Sequence, residues 1–322
     1  MLTIPVRLPS SKQGGIALVI VLWIVTLLAL MAGSFAYSMR TEMRLVTTSN
    51  ERAQARALAD AGVAYAALRL LLQPNPEDPW PIEGSPREWQ FAAGTVTIMA
   101  RDTSGLIDIN QAERGLLVGL LNTAGGLELE EAESLMDKIE DYRDPDDARH
   151  INGAEQRDYA AAGLNAPKDT FFESIDELQQ VMDMTPELFA RIADAITVDS
   201  RQRTINPDAA SAKVLYAIPA IDPALIDDFI AERQSNLEQD LPPPPFPGGD
   251  GLVSNQQGIA YHVRILAQLN TSASKDYVEA VISRRRRPNE AFYINHWRSG
   301  PSVLTESEAS SETDPEMDKV SE

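Results

Sequence analysis

The stretch IALVIVLWIVTLLALMAGSFAY, residues 16–37, decides the architecture, because no charge falls anywhere between Lys12 and Arg40. At about 1.5 Å per residue, roughly 20 such residues cross a hydrocarbon layer of about 30 Å, and only a helix satisfies its own backbone there. A buried core helix is the alternative, but a globular core rarely tolerates so long an uncharged run. The segment therefore predicts one membrane-spanning helix. Arg7 and Lys12 precede it without any acid, whereas Arg40, Glu42, Arg44, Glu51 and Arg52 follow it with mixed sign. That asymmetry points the N-terminus to the cytoplasm and the body to the far side.

The apolar run is too long for the core of a secretory signal, which spans about 7–15 residues. A possible cleavage point instead precedes the run, at Gly14-Gly15-Ile16. Cutting between Gly15 and Ile16 would leave the helix on the mature chain, an arrangement that resembles a type IV prepilin leader. Residues 41–73 contain no proline and repeat apolar positions at Leu45, Ala53, Ala57, Ala61, Ala64, Leu68 and Leu72. They read as a continuation of the same helix, ended by Pro74 and Pro76. Such a helix suits a pilin spine or an ordinary anchor followed by a stalk.

Beyond a proline-rich turn, residues 88–110 alternate apolar and polar positions, with Phe91, Val96, Ile98, Ile107 and Ile109 as the expected inward residues. Alternation returns at 259–270, where Ile259, Tyr261, Val263, Ile265, Ala267 and Leu269 share a face, and two further strands are expected at 276–284 and 290–298. The economical account is a small sheet packed on the long helix and interrupted by a helical insertion. Three helical phrases fill the gap, at 109–125, 174–198 and 205–233. Thr185-Pro186 and Asp222-Pro223 mark helix starts by cap and proline. These read as helix-hairpin-helix units. In DNA-binding versions a turn glycine exposes amides to phosphate. Here Ala220 takes that place, with Asp222, Asp227, Asp228 and Glu232 nearby, which favours a structural role. Residues 234–258 read as a proline and glycine linker, Arg284–Arg287 as a basic run at a strand edge, and 305–322 as a disordered acidic tail.

Composition narrows function. Lys+Arg 28 against Asp+Glu 48 gives a net charge of -20, a field that repels nucleic acid. The absence of cysteine removes thiolate catalysis and disulfides. His150, His262 and His296 share no metal-ligand spacing. The densest acidic cluster runs from Glu140 to Asp158, with Asp141, Asp144, Asp146, Asp147, Asn152, Glu155 and Asp158 as oxygen donors around turns at Pro145 and Gly153. Such donors suit a hard cation such as calcium, although the spacing is not that of an EF-hand. Arg143, Arg149 and Arg157 offer solvated salt bridges as the alternative reading. No nucleophile or phosphate loop accompanies the acids, so an enzyme is not expected.

In this order, GGIALVIVLWIVTLLAL at 14, RDTSGLIDIN at 101, DYRDPDDARHINGAEQRDY at 141, ESIDELQQVMDMTPELF at 173, INPDAASAKVLYAIPAID at 205 and the closing strand around Tyr293–Arg298 resemble the type II secretion minor pseudopilin K family. The resemblance implies an α+β fold: a pilin-like long N-terminal helix on a small antiparallel sheet, with a large inserted all-helical domain of helix-hairpin-helix or SAM-like type. It divides the chain into a leader at 1–15, a spine at 16–73, a split sheet region at 74–110 and 250–304, and the insertion at 111–240. It implies cleavage at Gly15/Ile16 by prepilin peptidase, methylation of the new terminus, and a calcium site in the insertion. It further implies an inner-membrane anchor, contact with the assembly platform, and a place at the pseudopilus tip with minor pseudopilins I and J. Most pilins carry a glutamate where this chain has Ile20. Such a glutamate pairs the terminal amine of an adjoining subunit, so Ile20 agrees with a tip position. A membrane-anchored helix-hairpin-helix protein for DNA uptake is the competing reading.

Overall fold

The computed structural model describes residues 14–72, 80–239, 241–284 and 291–300. Arg7, Lys12, Pro74, Pro76, Arg285–Arg287 and the acidic tail lie outside these residues, as does the side chain of Ile16. By contacts the chain divides into two units, Met1–Gln54 and Ala55–Glu322.

In the first unit the described residues are entirely helical, forming most of α1 (Gly14–Ala67). Its apolar stretch is exposed all round: Leu22, Trp23 and Leu30 lie open, and the helix is long and apolar enough to cross a membrane. The Thr26 hydroxyl donates to the Trp23 carbonyl at 2.9 Å, so this polar group is satisfied within the helix.

In the second unit the end of α1 and a following π turn (Leu68–Leu72) bury Ala55, Leu58, Ala59, Val63, Ala66, Leu70 and Leu71 against a sheet. The buried stripe is not the expected one, since Ala53, Ala57 and Ala64 face solvent and Leu72 is largely exposed. An alanine-rich helix has several nearly equivalent small faces, and Gly62 selects among them. A Cβ there would lie 2.8 Å from both Val96 and Ile265, so the helix packs tightly on the strands at this point.

The sheet comprises β1 (Glu83–Phe91), β2 (Gly94–Asp102), β5 (Ala260–Leu269), β6 (Lys275–Arg284) and β7 (Phe292–Ser299), in that spatial order and antiparallel throughout. Val96, Ile98 and Ala100 of β2 pair with Ala267, Ile265 and Val263 of β5, all facing α1. The sheet thus closes between strands separated by more than 150 residues of chain. Alternation located β2, β5, β6 and β7, but β1 begins inside the expected proline-rich turn, and four expected inward residues lie elsewhere. Phe91 and Ile259 are exposed, and Ile107 and Ile109 belong to a different core. Arg284 ends β6, an inner strand and not an edge.

Everything between β2 and β5 is the insertion. It contains β3 (Ile107–Asp108) paired in parallel with β4 (Ile196–Thr197), and helices α2 (Arg114–Thr123), α3 (Leu129–Arg143), α4 (Gln156–Ala162), α5 (Pro186–Ile192), α6 (Ala212–Leu215) and α7 (Pro223–Glu238). They share a core that includes Ile109, Leu116, Leu120, Met136, Ile139, Tyr159, Ile192 and Ile226. Thr185 accepts from the Leu188 N–H at 3.1 Å and Asp222 from the Ala224 N–H at 3.0 Å, so both expected caps form. The second phrase does not open with an α-helix: residues Ile175–Gln180 form a 3-10 helix. α7 extends to Glu238, into the segment expected as linker.

Candidate metal centre

α3 is a helix whose apolar face is anchored by Leu135, Met136 and Ile139, and the same periodicity brings Asp137 and Asp141 to its inner side. Asp141 is wholly buried. A charge in that position needs partners, and the following loop curls back to supply them. The His150 N–H donates to both Asp141 carboxylate oxygens, at 3.2 and 3.3 Å, and His150 Nδ1 contacts Oδ1 closely. The Asn152 N–H donates to Asp137 at 3.1 Å, and Arg114 bridges Asp137 at 2.5 Å and also contacts Glu140. Gly153 allows the return: a Cβ there would sit 1.8 Å from Asp141 Oδ2.

Asp141, Asp144 and His150 each offer a donor atom within 4.8 Å of one another. Glu155, at the start of α4, is buried and feels Asp141 and Asp144 electrostatically. Asp144 Oδ1 and both Glu155 Oε atoms are buried without a hydrogen-bond partner among the described residues. Unsatisfied carboxylate oxygens gathered among like charges are costly unless a cation completes them. The protonation equilibria register that cost. Burial, then repulsion from Asp141, Asp144, Asp169 and Asp147, pushes the Glu155 carboxyl up to about 7. Burial and then the charges of Asp146 and Asp141 raise Asp144. The hydrogen bond to Asp141 raises His150 against the opposing effect of burial. Three carboxylates, two of them with orphaned oxygens, and one imidazole fit a divalent cation, which would supply charge neutralisation and tie α3, the loop and α4 together.

The seven expected donors therefore divide. Asp141 and Asp144 converge with His150, and Glu155 is near enough to feel the charges of both acids. Asp146 caps the Ala148 N–H at 2.8 Å, and Asp158 accepts from the Glu155 N–H at 3.0 Å while pairing with Arg149 at 3.4 Å. Asp147 and Asn152 are exposed. His150 was missed because spacing among histidines was the wrong signal; its position nine residues after a buried acid on a helix was the available one.

The DNA-binding alternative requires a cationic hairpin turn. Between α6 and α7 the residue at the glycine place, Ala220, does adopt a left-handed backbone with φ 62°. Around it stand the exposed acids Asp222, Asp227 and Asp228, which repel phosphate.

This helical region matches a known family model, described as Type II secretion system (T2SS), protein K, over residues 102–200. That segment is similar to protein K of type II secretion. The match begins at the last residue of β2, so the protein K domain coincides with the start of the insertion and carries the whole acidic site. No curated protein matches the chain in sequence. Among solved structures, a chain from the crystal structure of the GspK-GspI-GspJ complex of the enterotoxigenic Escherichia coli type 2 secretion system shares the fold, with a TM-score of 0.54 at 18% identity. The alignment covers 82% of this chain and 99% of that one. Long helix, small antiparallel sheet and protein K domain are thus found together in one chain.

Proposed function

We propose that the chain is a minor pseudopilin of type II secretion, seated at the tip of the periplasmic pseudopilus, where it initiates or caps the filament and supports export across the outer membrane. The carrying observation is a protein K domain inserted between directly paired strands of a pilin-like sheet. In this reading α1 anchors the chain in the inner membrane with its N-terminus cytoplasmic. Prepilin peptidase cuts between Gly15 and Ile16, the new terminus is methylated, and the inner-membrane assembly platform receives the mature helix. Pseudopilins I and J are the expected neighbours, because the similar solved chain comes from a complex with proteins of those names. Ile20 leaves the helix without an acid to pair another subunit's terminal amine, consistent with no subunit stacked above. Calcium is the expected ion for the acidic centre, held by Asp141, Asp144 and Glu155 with His150 beside them. The role is assembly and not catalysis. N-terminal mass spectrometry after co-expression with prepilin peptidase tests the proposal: a mature chain beginning at Ile16 is expected, and an intact Met1 terminus refutes it.

A further inference from the structure

The outer face of the sheet, opposite α1, meets the insertion across a cleft of about 470 Å³. Strand register puts two rows of charge on that face. His262, Val281 and His296 lie side by side across β5, β6 and β7, and Arg264, Glu279 and Arg298 form the next row. From the insertion, Asp176, Asp194 and Asp199 line the opposite wall. Nearly all of these charges have permanent partners. Glu279 pairs with His262 at 2.8 Å and Arg264 at 3.3 Å, Arg298 reaches Asp176 at 2.5 Å, and Lys213 holds Asp194 at 2.5 Å. A cleft whose charges already satisfy one another is a joint between two parts of the chain and not a ligand site.

Asp199 is the exception. Its carboxylate is almost buried, it accepts from the neutral Asn295 amide at 2.6 Å, and among the described residues its cationic partner is His296, with Nε2 3.3 Å from Oδ2. Both partners come from β7, an edge strand of the sheet, whereas Asp199 follows β4 in the insertion. The covalent stems between the two parts are gathered at one point. Asp102 accepts from the Ser104 N–H at 2.8 Å as the chain leaves the sheet and from the Gly258 N–H at 3.0 Å as it returns, and Thr103 donates to the Ala260 carbonyl at 2.9 Å. A paired hinge on one side and a histidine-dependent contact on the other make a clasp.

We propose that His296 and Asp199 form a proton-operated latch that holds the inserted domain against the sheet, closed in acid and released as the medium turns alkaline. The Asp199 contact raises the His296 pKa despite burial; Asp176 adds to this and Arg298 opposes it. Because the folded value is raised, the contribution is fully present below the ordinary histidine pKa and is lost as pH climbs through the raised one. A neutral imidazole can still donate a hydrogen bond but no longer neutralises the nearly buried Asp199 charge, which weakens the closed arrangement.

The chain has no cysteine, so spin labels can be placed singly at exposed positions on either side. Double electron–electron resonance between labels at Glu187→Cys in the insertion and Lys275→Cys in the sheet, in the full chain in detergent micelles, reads the joint directly. The expected result is a narrow distance distribution at pH 5.5 that broadens at least twofold by pH 8.5. His296→Gln should be broad at both pH values, and His296→Lys narrow at both. An unchanged width between the two pH values in the otherwise native chain overturns the latch, as does a pH response retained in His296→Gln. The native pH series needs no folding-sensitive variant.

Discussion

Glu155→Gln separates the metal centre from an ordinary patch of acids. In the native chain without a cation, folding moves this carboxyl from 4.5 to about 7. At about 1.4 kcal/mol per pH unit, ionising it in the folded state costs about 3 kcal/mol. The folded pKa is raised, so the group's contribution is intact below about pH 4.5 and is lost as pH rises through about 7. Glutamine keeps the shape and removes the charge. In chelator at pH 8 the variant should therefore be more stable than the native protein, by up to about 3 kcal/mol, while at pH 4.5 the two should converge. With calcium the difference closes, and it reverses near 1,000 times Kd, where binding contributes about 4.1 kcal/mol. A cation that binds only the folded chain stabilises it by RT ln(1 + [L]/Kd), about 2.7 kcal/mol at 100 times Kd, and the variant has lost a ligand. Denaturant unfolding of the detergent-solubilised chain at both pH values, with EDTA or 5 mM calcium, reads all four combinations. If Glu155→Gln is destabilising in EDTA at pH 8, or keeps the native calcium response, the reasoning fails.

Other positions test the frame around that site. Gly119→Ala places a methyl 2.0 Å from the Ala217 carbonyl oxygen, so α2 and the α6 turn must part, at a cost of about 1–3 kcal/mol measurable by denaturant midpoint. Ala220→Gly should stabilise the fold by up to about 1 kcal/mol, since the position already has a positive φ. Asp102→Ala strips the buried Ser104 N–H and the half-buried Gly258 N–H of their acceptor and should cost about 1–3 kcal/mol, with faster amide exchange at both. Fluorescence anisotropy with duplex DNA at physiological salt should show no sub-micromolar binding; finding it would favour the DNA-uptake reading.

Much of this fold is written in local pattern. The uncharged run at 16–37 specifies a membrane-length helix because its length and composition alone satisfy the requirement. Period-two alternation located β5, β6 and β7, and the Thr185-Pro186 and Asp222-Pro223 pairs fixed two helix starts, since a cap acts within three residues of itself. The acidic loop was visible as a donor-rich segment. The selection within it was not, because Asp146 and Asp158 are chemically as suitable as Asp144 and Glu155 and differ only in where the turns send them.

Tertiary structure decided what local pattern leaves degenerate. Alanine on several faces of α1 gives no strong preference, and contact at Gly62 with Val96 and Ile265 chose the buried stripe. Ile107 and Ile109 alternate like sheet residues, yet the chain turns at Thr103–Gly105 and spends them on the insertion's core. His150 meets Asp141 and Asp144 only because the loop after α3 folds back over Asp141. Sequence determined the periodic elements and their ends, which depend on neighbours a few residues away. The face each element buries and the donors that meet depend on groups brought together from distant parts of the chain, and only packing selects those.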